Sequence, residues 1–295
     1  MFLHVVKKVR ELPFTAASGL VATPSDFFVI ADDELALGTF PRSNGGTDRF
    51  FPLLPGTLPL APGARKRVKP DFEALAWLPA WALPPNGALL IVPSLSRPNR
   101  TRGVILPCAA SDELEMRSRE VDWAPVMASL LKDIRAPNIE GATVMGDQMI
   151  LLQRGNKHGH ENATIAFPLK EFIAVLQGST AIQLQPLVTR VDLGLCKNVP
   201  WSFTDGAALA DGRLAFTAAA ERTDDPYLDG EIVGAALGVL NLDSTVQHLD
   251  QLAISTKVEG LWVEQQGDTF NCWMVTDADD PSQQSSLLLT QVTHW

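Results

Sequence analysis

Val258-Glu259-Gly260-Leu261-Trp262-Val263 places an acid, then a small residue, then an apolar run, and the same order recurs along the chain. Glu73-Ala74-Leu75-Ala76-Trp77, Glu140-Gly141-Ala142-Thr143-Val144 and Asp205-Gly206-Ala207-Ala208-Leu209 repeat it. Ser18-Gly19-Leu20-Val21-Ala22 repeats it with a hydroxyl in place of the carboxylate. Each copy leads into a turn and a second apolar run that ends in a polar loop. A short unit that recurs and cannot bury its apolar face alone is the mark of a repeat architecture.

The copies begin at residues 18, 73, 140, 205 and 259, at intervals of 55, 67, 65 and 54, and 54 more residues lead from 259 through 295 back to 18. The two long intervals contain stretches with helical spacing, Trp123 to Ile134 and Pro168 to Leu176. Four units read as four short strands each, whereas the last runs out after three. Residues 2–12 form an alternating strand that belongs to no unit, and they complete the last one. The reading is an all-β, five-bladed β-propeller of four-stranded blades, closed by the N-terminal strand, with two short inserted helices and one domain over residues 1–295. A β-sandwich or a pair of barrels is the competing architecture.

Net charge is −10 with a pI near 5.0, which argues against nucleic acid or an anionic membrane as partner. No apolar run reaches the length of a membrane span. The start, Met1 to Lys8, lacks the basic-then-apolar order of a secretory signal. The three cysteines are widely spaced and read as reduced thiols, so the expected location is the cytoplasm. Oligomeric state is left open.

In a propeller the first strand of each blade lines the central channel, so Ser18, Glu73, Glu140, Asp205 and Glu259 are expected to face one another at one mouth. Four carboxylates in a narrow channel repel unless they share protons or hold a cation. Hard oxygen donors in that number suit Ca²⁺. A structural role, bonding backbone N–H groups of the neighbouring blade, is the alternative for each. The loops joining second and third strands surround the same mouth, and they are polar. They supply Asp32 and Asp277 as candidate catalytic bases, and Arg97, Arg102, Arg154, Asn156 and Lys157 as candidate substrate-binding residues for a small anionic ligand.

The acid-Gly-apolar phrase of Val258-Glu259-Gly260-Leu261 resembles that of the phytase-like and esterase-like bacterial propellers. The pattern Ser18, Glu73, Glu140 and Glu259 is similar to the calcium-activated nucleotidase (apyrase) family. That resemblance implies five blades and a central Ca²⁺ held in the order Ser, Glu, Glu, Ser, Glu; this sequence departs at the fourth place, where Thr204-Asp205 stands.

Three functions follow. One is a Ca²⁺-dependent hydrolase of a phosphoester or phosphoanhydride, the metal polarising the substrate or a water. Another is a non-enzymatic ligand-binding or scaffolding propeller with a structural cation. The third is a lactonase- or esterase-like hydrolase. No GxSxG elbow, Walker loop, dinucleotide fingerprint or zinc-protease helix is present.

Overall fold

A computed structural model describes residues 3–43, 45–110, 113–155, 161–222, 230–278, 280, 282–293 and 295. Five antiparallel sheets stand around one axis. Their innermost strands are Ala17–Ala22, Phe72–Leu78, Ile139–Met145, Val199–Ala208 and Lys257–Gln266. Each touches the next, and the last touches the first, so the ring closes at five. Strands follow one another outward in chain order, as hairpin-linked neighbours do.

The outer strand of blade five is Lys7–Glu11, paired antiparallel with Ser286–Thr293. The N-terminal segment is split: Leu3–His4 first adds in parallel to the outer strand of blade four, Val246–Leu252. The chain start therefore ties two blades together. On the opposite face from the polar loops, Arg42 from blade one forks onto Glu264 of blade five and stacks over Phe27 and Trp273.

Three helices appear among the described residues, one more than the sequence pattern indicates. Helices α2 (Ala124–Leu130) and α3 (Leu169–Leu176) account for the two long intervals. Their apolar sides, including Val126, Leu130, Phe172 and Ile173, join Trp123 and Phe167 in one core between blades two and three. Helix α1 (Pro62–Val68) buries no residue. Its sequence, Pro-Gly-Ala-Arg-Lys-Arg-Val, lacks apolar periodicity, and only a proline at the first turn marks it.

The repeated phrase has a structural cause. In every blade the register between first and second strands slips by one residue, at Ser18, Glu73, Glu140, Thr204 and Glu259. A bulge of this kind re-aims a side chain. The small residue that follows lies against the next blade's inner strand. A Cβ on Gly141 would stand 3.0 Å from Asp205 Cα, and one on Gly260 2.9 Å from Leu20 N. By this register Thr204, not Asp205, is the fourth member of the ring. Asp205 occupies the slot of the small residue.

Among the described residues no helix is long and apolar enough to cross a membrane. Cys108, Cys196 and Cys272 are all buried.

Candidate active site at the charged mouth

In four blades the first residue of the inner strand pairs with the last of its neighbour, as Phe72 does with Pro93, and in blade four Trp201 near the start pairs with Ala220 near the end. The bulged positions and the loops after each second strand therefore share one mouth. Two groups of charges meet there.

The first group belongs to blades one and two. Asp32, Asp71 and Glu73 bring carboxylate oxygens within 4.8 Å of one another. Lys69 sits among them, hydrogen-bonded to Asp32 and 3.0 Å from Asp71 Oδ1. Asp71 is buried and has φ of 61°, a left-handed conformation that an L-residue adopts at a cost. Ser94 Oγ donates to it, Arg100 Nη1 lies 2.5 Å from its Oδ2, and its carbonyl accepts the Ser94 N–H. Glu73 accepts no hydrogen bond among the described residues, and burial with repulsion from Asp71, Glu140 and Asp32 holds its carboxyl well above the usual range. Burial likewise raises Asp32 to about 6, against the pull of Lys69. The Lys69 ammonium is driven up by Asp32, Asp71 and Glu73 in spite of its burial, so it stays charged.

The second group joins blades three, four and five. Arg154 Nη1 lies 3.3 Å from Glu140 Oε1, and its Nη2 donates to Glu221 Oε2 at 2.6 Å. Asn138 also donates to Glu140, and Lys257 pairs with Glu259. Two buried polar atoms here, Glu259 Oε2 and Arg154 Nε, have no hydrogen-bond partner among the described residues. Burial is resisted by Lys257 and Arg154, yet with the repulsion of Glu140 it lifts the Glu259 carboxyl to about 8. Glu221 is also buried, but Arg154 and Lys257 hold it below the usual carboxylate range.

These shifts give a testable pH dependence. A carboxyl raised from about 4.5 to about 8 binds a proton in the folded state that the unfolded chain has lost. Its contribution is full below the unfolded value and disappears as pH rises through 8. The urea midpoint should therefore fall between pH 5 and 9, and Glu259→Gln should flatten that slope. An unchanged slope in the variant would remove Glu259 as its source.

The other sequence candidates distribute as follows. Asp32 and Asp277 line one open cleft of about 390 Å³ between blades one and five, with Asp33, Glu34, Arg65, Lys66, Lys69 and Asp280. Arg154 is 5% exposed and held between two glutamates, away from a ligand's reach. Arg102 starts the third strand of blade two and forks onto Glu120 of the outer strand, exposed to solvent. Arg97 lies half-buried in its loop, where its carbonyl accepts the Arg100 N–H. Asn156 and Lys157 lie outside the described residues. Of the five ring positions, Ser18 Oγ donates to Phe72 O of blade two. Asp205 accepts the N–H groups of Gly206 and of Leu261 in blade five, each at 2.7 Å. Glu140 and Glu259 have protein cations beside them, which leaves Glu73 as the ring member grouped with Asp32 and Asp71. Lys69, Asp71, Asn138 and Lys257 were missed by the sequence reading. Three of them stand two places before the acid of their phrase, as Asp71 does before Glu73, and that recurrence was the available signal.

The chain belongs to DUF6929, a family of unknown function, whose profile matches residues 13–292. No curated protein sequence matches it. Among solved structures it is similar to an α-L-arabinofuranosidase from Podospora anserina (9% identity, 99% of this chain and 98% of that one, TM-score 0.55). It is also similar to a glutaminyl cyclase from Myxococcus xanthus (11%, 99% and 99%, TM-score 0.51). A gluconolactonase from Xanthomonas campestris aligns more loosely (11%, 97% and 89%, TM-score 0.45). At such identities these likenesses show the fold alone. The likeness to the nucleotidase and phytase-like families rests on the repeated phrase.

Proposed function

We propose that this member of the family is a hydrolase of a small ester, acting in the cleft above Asp32, Asp71 and Glu73. The observation that carries the reading is the convergence of these carboxylates, from two separate segments, beside an open cleft that Asp32 lines. Such an all-oxygen set fits a hard divalent cation, Ca²⁺ in the sequence reading. Glu73, without a hydrogen bond of its own, is the donor most available to it, whereas the Lys69 ammonium has to yield its place. When bound, the cation would supply Lewis acidity toward a phosphoryl or carbonyl oxygen.

The chain's own residues supply the rest. Asp277 lines the same cleft and is the candidate to take a proton from the attacking water. Arg65 and Lys66 line it too and offer positive charge to an anionic substrate or to charge developing on its oxygens. Arg100 and Ser94 fix Asp71 in its strained conformation, so the floor is set before a ligand arrives. A phosphoester and a lactone or other carboxylic ester both meet these requirements.

The test is a panel of phosphoesters, nucleotides, lactones and aryl esters, assayed with Ca²⁺, Mg²⁺ or Mn²⁺ and with chelator. Glu73→Gln and Asp277→Asn should each lower the rate by about 10²–10⁴-fold while circular dichroism stays unchanged. Background rates on every substrate, with every cation, would remove the hydrolase reading. The second group of charges supports a structural reading for its own half of the mouth, because Arg154 pairs with both Glu140 and Glu221 and Lys257 pairs with Glu259.

A further inference from the structure

Helix α1 lies over the cleft without a core of its own. None of its residues is buried, and two apolar side chains in the segment face water, Leu60 at 94% and Val68 at 56% exposure. An element with no apolar anchor depends on its polar ties. Arg65 donates to the carbonyl of Asp33 and, at 2.8 Å, to Glu34 Oε1, and its Nε stands 2.9 Å from Asp33 Oδ2. Lys69 reaches Asp32 and Asp71. From the other side, Asn99 Nδ2 donates to Arg67 O at 3.1 Å and Arg100 Nη2 to Lys66 O at 3.4 Å.

Both ends of the segment are anchored in the core, whereas its interior has only polar ties and no buried residue. Leu53 and Leu54 are buried, with the Leu53 N–H donating to Leu35 O, and Phe72 is fully buried at the far end. Just after the first anchor, Gly56 has φ of +111° with no atom within 4 Å of where a Cβ would stand. A glycine in that conformation and that space turns without steric penalty. Leu60, Pro62, Arg65, Lys66 and Lys69 form one side of the cleft.

We propose that residues 55–69 form a lid over the cleft, turning at Gly56 and latched by Arg65 and Lys69 onto Asp32, Asp33 and Glu34. Opening it widens the cleft and uncovers Asp32 and Asp71 together. The lid's part in catalysis rests on the cleft being the substrate site; its motion does not. The Arg65 pairs are partly exposed, individually weak and screened by salt, whereas the Lys69 pairs are buried and screened less, so it is the Arg65 half of the latch that loosens as ionic strength rises.

Limited trypsin digestion tests this directly, because Arg65, Lys66 and Arg67 are cleavage sites inside the lid. Cleavage of a folded chain requires local opening, and its rate follows the open population. The first cuts should fall after residues 65–67. Their rate should rise roughly 5-fold or more between 50 and 500 mM NaCl, normalised to an unstructured peptide cut in parallel. The double variant Asp33→Asn, Glu34→Gln keeps every trypsin site and should be cut faster at low salt, with salt then having little effect. First cuts elsewhere, or a rate indifferent both to salt and to the double variant, would overturn the lid. A salt-dependent lid in a protein without hydrolytic activity would uphold the lid and remove the proposed reaction, and the reverse result would do the opposite.

Discussion

Replacing Arg154 with methionine should destabilise the fold by about 3–5 kcal/mol, the largest loss expected from any single change at the mouth. The side chains of Arg154, Glu140 and Glu221 are 6%, 6% and 8% exposed, and one guanidinium serves both carboxylates. Removing it leaves two buried acids without their cation, in a ring that already places Glu259 and Asp205 near Glu140. Those acids must then take up protons or draw in water. The loss should therefore be greater at pH 8 than at pH 5, since protonation relieves unpaired carboxylates. Urea denaturation at the two pH values measures both effects. The triple variant Arg154→Met, Glu140→Met, Glu221→Met should recover much of the stability, because a buried charge cluster is often replaced by apolar groups at little net cost. A loss below about 1 kcal/mol for Arg154→Met would mean that solvent reaches the pair and screens it.

The two halves of the mouth hold their acids in different ways. Glu140 and Glu259 belong to blades three and five, and their repulsion acts across the axis. The protein meets that repulsion with its own cations, Arg154 and Lys257, on one half of the ring. On the other half it uses Lys69, the C-cap residue just past a helix with no buried residue. A fixed counter-charge makes a structural site; one on a loosely held segment leaves the acids available to something else. This asymmetry is the physical reason for placing candidate chemistry at Asp32, Asp71 and Glu73 and structure at Glu140, Glu221 and Glu259.

Blade number and ring closure were legible in the sequence because they depend on local patterning. The bulge needs a residue that turns out of the strand and recurs in all five blades, and the next position takes a small side chain in four of them. The two apolar helices showed for the same reason. Helix α1 did not, since its stability is not written in apolar spacing but in ion pairs to residues some thirty positions away. The site was legible in part. Asp32 and Asp277 were placed at the mouth by strand direction alone, and one cleft contains both. Arg154 looked like a ligand-binding residue because it closely follows its strand, yet closeness to the axis is what buries it against Glu140. Asp71 was hidden because nothing in the sequence shows that Lys69-Pro70-Asp71 turns through a left-handed conformation.

The fourth blade is where residue chemistry and register parted. Aligning acids makes Asp205 a ring member, but the pairing of Phe203 with Ala218 and Asp205 with Thr217 leaves Thr204 as the bulged residue. Thr204 is fully buried and donates to Thr217 Oγ1 at 3.0 Å. Asp205 then does work between blades: its two oxygens accept the Gly206 and Leu261 N–H groups, the second across the boundary to blade five. Burial raises its carboxyl well above the usual range, with the two N–H groups pulling the other way.

Asp205→Ala should cost about 2–4 kcal/mol, since it strands two buried backbone donors and opens a small void. Asp205→Asn tests the mechanism more sharply. Its amide keeps the shape, but one of its two polar ends is a donor, and it would meet a backbone N–H. It should therefore be nearly as destabilising as alanine, instead of the mild change expected of an isosteric swap. Thr204→Val, one residue earlier, removes only a hydroxyl pair and should cost about 1 kcal/mol. Thermal melts of the three variants order them. If Asp205→Asn melts with the parent protein while Thr204→Val falls far below it, then Asp205 does not join blades four and five, and the acid alignment of the ring would be the better one.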